Sequence, residues 1–420
     1  MDYSFIHVAD IHLDSPLKGL EKYEGAPVDQ IRLATREAFK ALVGLAIEKR
    51  VAFILISGDL YDGDWKDYNT GLFFINQMLR LKSAAIDVYL IRGNHDAQNV
   101  MTKALVLPSN VYEFPVDLPQ TVINEDLKVA IHGQGFETRA VTKNLAVEYP
   151  NPVTDYFNIG ILHTSLTGRE DHEHYAPCSL DELIAKGYHY WALGHVHQRE
   201  IVHEQEPVVL FPGNIQGRHI REQGEKGCTI VEVIGGQVSS YYHRSLDVLR
   251  WTTCKIDLAE VTDMDEVIHL AREHIEHLRL PLDGRLLAVR LHFVGASQIH
   301  QRLIVEKTHL INQLRSLSLE FGDVWIEKVE IKTTRWTALE ELAESHTPIA
   351  VILEYIRSIT ANEDEQQALL AEFKDIANAL PYELKNKSDQ FNFNSTKLIA
   401  ARLTDAEELI LNAIQMQEGS

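Results

Sequence analysis

Hydrophobic positions in the first hundred residues follow two alternating periods. Short apolar runs at 5–9, 51–57 and 86–92 are bounded by turn formers and read as buried strands. Between the first two, Ile31, Leu33, Ala34, Ala38, Leu42, Leu45 and Ala46 recur at helical spacing, with Pro27 suited to a first turn. That predicts a helix from about Pro27 to Arg50 and a second from about Asn69 to Lys82. Strand-helix-strand-helix-strand at this spacing implies right-handed crossovers and a largely parallel sheet.

From about Val111 the helical period fades, and strands are predicted at 129–132, 157–162, 188–193, 208–211 and 229–234. They imply a second sheet on the first, hence an α/β two-sheet sandwich with helices outside. The pattern changes near residue 247. Strands at 251–258, 286–294 and 324–331 alternate with helices at 264–278 and 298–317, a small α+β unit. After Arg335-Trp336 it becomes helical, with capping boxes expected at Thr337–Glu340, Thr360–Glu363 and Thr404–Glu407. Pro381 should end the middle helix, and 386–394 is polar enough for a loop. The expected domains are 1–247, 248–336 and a helical region 337–420.

Composition narrows the function. A 420-residue chain that is 45% hydrophobic is long enough for two or three cores. No run approaches the roughly 20 apolar residues that span a bilayer. The start enters a strand with no basic segment or cleavage site, and Cys178, Cys228 and Cys254 form no CxxC pair. A reducing cytoplasm without secretion is the expectation. The net charge of −21 argues against nucleic-acid binding by general electrostatics, but leaves room for a nuclease whose carboxylates hold cations.

The chemistry lies where the strands end. The first strand delivers Asp10-Ile11-His12, the second Gly58-Asp59 and the third Gly93-Asn94-His95-Asp96. The strand at 157–162 delivers His163, and that at 188–193 delivers Gly194-His195-Val196-His197. Ligands of open α/β sheets bind outside the carboxyl ends of strands, so five ends converge on one crevice. Mixed carboxylate, imidazole and amide donors in this number suggest two first-row divalent ions, Mn²⁺ or Fe²⁺ above all, with Zn²⁺ also suited. Asp59, on a Gly-Asp turn, is the natural bridge. Alternate residues of DxH and HxH point to one side, so each pair can reach one metal or straddle two.

These motifs, in this order and rough spacing, resemble those of the calcineurin-like metallophosphoesterases. The segments from Ala9 to Leu17 and from Phe211 to His219 resemble the YhaO/SbcD-type DNA repair exonucleases within that family. The likeness covers about residues 1–245; beyond that only the order of a cap domain and helices is similar. It implies the metallophosphoesterase two-sheet sandwich and a 3′–5′ DNA exonuclease using two divalent ions, Mn²⁺ foremost. It further implies that Asp10, His12, Asp59 and His197 hold one ion, and Asp59, Asn94, His163 and His195 the other. His95 would stand over the scissile phosphate as acid, with Asp96 orienting it or a neighbouring ligand. The archaeal break-repair nucleases carry His where this chain has Asp62, which leaves the cleavage mode open.

Other polar residues have plainer expectations. His7 should pack in its strand, His132 should make a core hydrogen bond, and His189 should back a ligand. His172 and His174 follow no strand and fit a solvated loop, while His269, His274 and His277 lie on an exposed helical face. Arg218, His219 and Arg221, with Arg199 and Lys226 nearby, form a basic stretch suited to phosphate contact. The apolar stripe of Leu398, Ile399, Leu403, Leu409, Ile410 and Ile414 must bury against something. Packing within the chain competes there with docking on an SMC-like coiled-coil ATPase, which the resemblance implies. DNA and a second copy of the chain complete the expected partners. Hydrolysis of small phosphate esters is the second functional reading, and a non-catalytic scaffold the third.

Overall fold

The computed structural model describes residues 2–15, 27–62, 68–98, 106–167, 175–336, 348–373 and 396–417. The chain opens with β1 (Tyr3–Val8), α1 (Val28–Lys49), β2 (Phe53–Ser57), α2 (Tyr68–Ser83), β3 (Asp87–Ile91) and β4 (Val111–Glu113). Then come β5 (Gln120–Asn124), β6 (Val129–Gly133), β7 (Phe157–His163), α3 (Leu180–Ala185), β8 (Tyr190–Gly194), β9 (Glu200–His203) and β10 (Val208–Phe211). A hairpin of β11 (Gly227–Ile234) and β12 (Gln237–Ser245) follows.

Among the described residues these strands form two six-stranded sheets, ordered β12-β11-β1-β2-β3-β4 and β5-β6-β7-β8-β10-β9. β1 to β4 run parallel, as do β6, β7, β8 and β10, and this gives each sheet one edge of carboxyl ends. Phe5, Phe53, Tyr89, Ile159, Tyr190 and Val231 belong to the core between the sheets, where Phe5 and Phe53 stack at 5.0 Å. A second core, with Ile54, Phe39, Leu42 and Phe74, joins the outer face of the first sheet to α1 and α2. Truncating a ring such as Phe53 in this setting costs about 3–5 kcal/mol.

The two-sheet α/β sandwich is the architecture the periodicity implied, with one exchange. The strand expected at 229–234 in the second sheet is β11 and pairs antiparallel with β1 in the first. Its partner β12 was not foreseen. Gly235 and Gly236, both at positive φ, make the two-residue turn that folds the hairpin back on itself.

β13 (Leu249–Asp257), α4 (Met264–Arg279), β14 (Leu286–Val294), β15 (Ala296–Ser297), α5 (His300–Val305), α6 (Lys307–Phe321), β16 (Val324–Ile331) and β17 (Thr334–Arg335) follow. β13, β14 and β16 make a three-stranded sheet, and the helix expected over 298–317 is broken at Glu306 into α5 and α6. Leu249, Trp251, Ala288 and Trp325 pack on Ile31 and Ala34 of α1. Two compact units result: Met1–Thr253 with His277–Arg290 and Ser318–Lys328, and Cys254–Glu276 with Leu291–Leu317 and Val329–Ser420.

The helices α7 (Pro348–Ala361), α8 (Glu363–Glu372) and α9 (Thr396–Gln417) complete the second unit. Two caps differ from expectation. Thr360 lies in the last turn of α7 with its hydroxyl on the Ile356 carbonyl, and Asn362 caps α8 instead. Thr404 is inside α9 and bonds the Ala400 carbonyl, so that helix starts earlier, at Thr396. Asparagine accepts the cap bond as well as threonine, and a mid-helix threonine can satisfy itself on the preceding turn. Thr337–Glu340, Pro381, residues 386–394, His172 and His174 lie outside the described residues.

Three histidines of the sandwich are held by structural hydrogen bonds. His7 bonds the Tyr190 hydroxyl at 2.9 Å and the Leu193 carbonyl at 3.0 Å. His132 stacks on Tyr188 and bonds Thr121 and Asn158. His189 accepts the Asn158 backbone N–H at the amino end of β8, away from the ligands it was expected to back. Burial pulls His132 from its ordinary 6.5 to about 4, outweighing the opposing Asn158 bond. Between those values the unfolded chain binds a proton that the folded chain does not, so stability is lost as pH falls through the window. At about 1.4 kcal/mol per pH unit the loss is on the order of 3 kcal/mol. Urea unfolding at pH 7 and pH 4.5 should show it, and His132→Gln should shrink the difference; an unchanged difference would assign the acid sensitivity elsewhere.

Candidate metal centre

The carboxyl edges of the two sheets meet, and the chain leaves each strand there by a sharp turn. Asp10, His12, Asp59 and His195 all have left-handed backbone, with φ of 50°, 45°, 52° and 102°. Non-glycine residues in that region carry about 1–3 kcal/mol of strain each and persist only where their surroundings hold them. Here the surroundings are backbone bonds between the loops: Asp10 N–H to the Gly58 carbonyl, His12 N–H to Asp59, and Thr164 N–H to Gly194. Gly93 permits this closeness, since a methyl on it would lie 2.2 Å from Asp59 Oδ1 and 2.8 Å from His163 Cε1. Gly93→Ala should therefore lower metal content and cost about 1–3 kcal/mol of stability. Elemental analysis and thermal unfolding would check it, and full metal occupancy would refute the close-packing argument.

Three donor groups result among the described residues, the third being His12, Asp62 and His95. Asp10, His12 and His197 offer ligand atoms within 4.8 Å of one another, as do Asp10, Asp59 and His163. In the first, His12 Nε2 faces His197 Nε2 at 3.2 Å and Asp10 Oδ1 is 3.8 Å from the latter. In the second, His163 Nε2 is 2.9 Å from Asn94 Oδ1. Asp59 Oδ2 faces both sets, 3.9 Å from His12 Nε2 and 3.5 Å from His163 Nε2. The His195 ring lies 5.2 Å from that of His163, and its backbone N–H donates to the Asp10 carboxylate.

Hydrogen bonding settles where the lone pairs point. His163 Nδ1 is 2.9 Å from the Ser57 carbonyl, which can only accept, so Nδ1 carries a proton and Nε2 is the nitrogen turned to Asn94 Oδ1 and free to ligate as the neutral ring. His197 Nδ1 is 2.7 Å from Glu222 Oε1, which leaves its Nε2 free to ligate as well. Burial and the nearby cationic Arg218 hold His12 far below the ordinary imidazole range. Its Nδ1 is buried without a hydrogen-bond partner. Imidazole nitrogens, an amide oxygen and carboxylates that converge in this way make a donor set that fits divalent ions. Sulfur is absent from it.

His95 follows Asn94 but takes another direction. Its backbone N–H donates to Asp59 Oδ1 at 2.9 Å, and its ring Nδ1 is 2.6 Å from Asp62 Oδ1. Burial works against its charge, but the Asp62 bond and the Asp59 carboxylate prevail and raise its pKa. Asp62 responds in kind: burial would lift it, yet bonds from His95 and Ser15 bring it to about 2. Asp62 is thus the group that aims His95, a pairing across 33 residues that no local signal announces. Asp96, expected to orient His95 or a neighbouring ligand, accepts the backbone N–H groups of Leu60, Tyr61 and Gly93 and so clamps the two ligand loops together.

The basic stretch divides. Arg218 is mostly buried beside the centre, 3.2 Å from Glu222 Oε1 and 3.7 Å from Asp62 Oδ2. His219 is half-exposed at 3.6 Å from Glu222, and the Arg221 side chain faces solvent. Lys226 is buried with its ammonium on the His197 carbonyl at 2.8 Å, where it supports the ligand loop. Glu222, which joins His197 to Arg218, was missed because it stands in a polar loop like any surface glutamate. Its pKa is driven down: burial opposes, but His197 and Arg218 outweigh it.

The calcineurin-like phosphoesterase family matches residues 3–199, and the middle domain of metallophosphoesterase YhaO matches 251–334. The metallophosphoesterase YhaO of Bacillus subtilis is 35% identical over 299 residues, covering 70% of this chain and 72% of that protein. The DNA double-strand break repair protein Mre11 of Sulfurisphaera tokodaii is 24% identical, covering 58% of this chain and 62% of its own length. That of Thermoplasma acidophilum is 22% identical over 85% of this chain and 90% of its own length.

Proposed function

Because the chain belongs to the calcineurin-like metallophosphoesterase family, we propose that it is a DNA nuclease that removes nucleotides from 3′ ends with Mn²⁺ as its preferred ion. The observation that carries this reading is the pair of facing donor sets sharing Asp59 Oδ2, with the His95–Asp62 pair beside them. Asp10, His12, Asp59 and His197 would hold one ion, and Asp59, Asn94, His163 and His195 the second. Such ions supply positive charge to the phosphoryl oxygens and activate water for attack at phosphorus. The chain's own groups do the rest. Asn94 contributes a neutral oxygen, so the donor set keeps less negative charge against the phosphate. His95, oriented through its Nδ1–H on Asp62, donates the proton on its other nitrogen, Nε2, to the departing oxygen. Arg218 holds a non-bridging phosphate oxygen, with His219 and Arg221 along the same rim.

Similarity to the Mre11 proteins favours DNA over small esters as substrate. End-labelled duplex DNA and a small phosphodiester, each incubated with Mn²⁺, Mg²⁺ or EDTA, decide between them. Metal-dependent shortening of DNA from the 3′ end supports the reading; cleavage of the small ester alone would sink it.

Two further features bear on partners and place. α7 buries Ala350, Leu353, Ile356 and Ile359 but exposes Val351, Ile352 and Tyr355. This apolar face suits the coiled-coil base of an SMC-like ATPase, and a dimer of the chain is the competing occupant. Val351→Glu should abolish co-purification with such an ATPase and leave the monomer fold intact. Among the described residues no helix is long and apolar enough to cross a membrane, and the three cysteines are free and buried, which fits a cytoplasmic enzyme.

A further inference from the structure

A second group of polar side chains lacks partners, away from the metal centre. Val231 and Val233 of β11 belong to the core between the sheets, whereas Cys228 and Ile230 face α1. Thr229 therefore points between the sheets, and its hydroxyl is buried without a hydrogen bond. Directly opposite it in register is His243 of β12, whose two ring nitrogens are buried and equally unbonded. Arg199, just before β9, is half-buried with Nε unbonded. Among the described residues no acceptor or carboxylate pairs with it. Burial first and then the Arg199 charge lower the His243 pKa, against Glu225 and Asp247, and Arg199 also acts on Tyr190. β9 and β12 are edge strands, and the contact of His7 on β1 with Tyr190 on β8 puts those edges on one side of the sandwich.

An arginine fork, an imidazole N–H and a hydroxyl offer several donors and one uncompensated charge, the complement of a tetrahedral oxyanion. The carboxylates that act on His243, Glu225 and Asp247, are both held by Arg250. Arg250 holds Glu225 at 3.2 Å and Asp247 at 2.8 Å. Leaving such groups dry and unpaired costs about 1–3 kcal/mol apiece, so something hydrogen-bonds to them. We propose that Arg199, His243 and Thr229 form a phosphate-binding site at the open β9/β12 edge of the sandwich, separate from the metal centre. Its ligand is a phosphate group, free or carried by a nucleic-acid strand.

Thermal unfolding in rising inorganic phosphate tests this, because a ligand of the folded state raises Tm in a saturable way. Generic salt stabilisation gives only a shallow linear rise. The wild type should show a saturable increment in the millimolar range, and Asp59→Asn should retain it, since the site does not use the metals. Arg199→Gln and His243→Asn should keep the linear part and lose the saturable one, with affinity reduced at least about tenfold for a lost charged donor. Should Arg199→Gln fail to fold, His243→Asn decides. A wild type without the increment, which would mean water fills the site, overturns the proposal. So does an increment lost in Asp59→Asn and kept in both edge variants. A single-stranded oligonucleotide that displaces phosphate assigns the ligand to the strand backbone; failure to displace it assigns free phosphate.

Discussion

Asp59→Asn should lose both hydrolysis and bound metal, with kcat reduced by at least about 10³-fold, which corresponds to several kcal/mol of charge stabilisation. Asp59 Oδ2 lies 3.9 Å from His12 Nε2 and 3.5 Å from His163 Nε2, and Asp59 Oδ1 also takes the His95 backbone N–H. The amide is nearly the same size, so packing survives while the shared negative charge does not. Elemental analysis of the purified variant, beside a DNA hydrolysis assay, reads the two losses separately. Normal metal content would remove Asp59 from the bridging position.

His95→Ala should do the opposite on one axis: metal stays, and turnover falls by about 10²–10⁴-fold. The imidazole stands outside the two donor sets that Asp59 faces, grouped instead with His12 and Asp62, and its Nδ1 is committed to Asp62. Asp62→Asn should act through it, lowering kcat about 10–100-fold with KM little changed, the range usual for a group that orients a working side chain. Comparison of the two single variants with the double variant separates their roles. If Asp62→Asn costs nothing in the His95→Ala background, the two act as one unit. Independent, additive losses would mean that Asp62 serves something other than His95. A His95→Ala enzyme with full activity would take the imidazole out of the chemistry.

Much of this centre could be read along the chain. Asp10, His12, Asp59, Asn94, His163 and His197 each stand just past a strongly apolar run, and a strand that ends in a polar turn is a local event. Parallel strands then bring such turns to one edge without further instruction. The sandwich itself was legible for the same reason, because β1, β2, β3, β7 and β8 are buried along their length and show it as apolar runs. β12 and β9 escaped notice. They are half-exposed edge strands, and the polar Gln237–Ser245 stretch carries no apolar alternation strong enough to mark it.

What the sequence determined by itself is the order of buried strands and the chemical type of residue each one delivers. Local hydrophobic periodicity is a property of neighbouring residues, and no distant partner is needed to establish it. The tertiary structure alone decided which polar group serves which. It gave His95 to Asp62 rather than to the adjacent Asp96, tied His197 to Arg218 through Glu222, turned His163 toward Asn94 by way of the Ser57 carbonyl, and left Arg199 Nε and both His243 ring nitrogens without a hydrogen-bond partner among the described residues. Hydrogen bonds and ion pairs are short-ranged and directional, so their partners are chosen only when remote loops come within about 3 Å. The left-handed turns at Asp10, His12, Asp59 and His195 are decided in the same way, because strain at one residue is held by contacts that many others must make first.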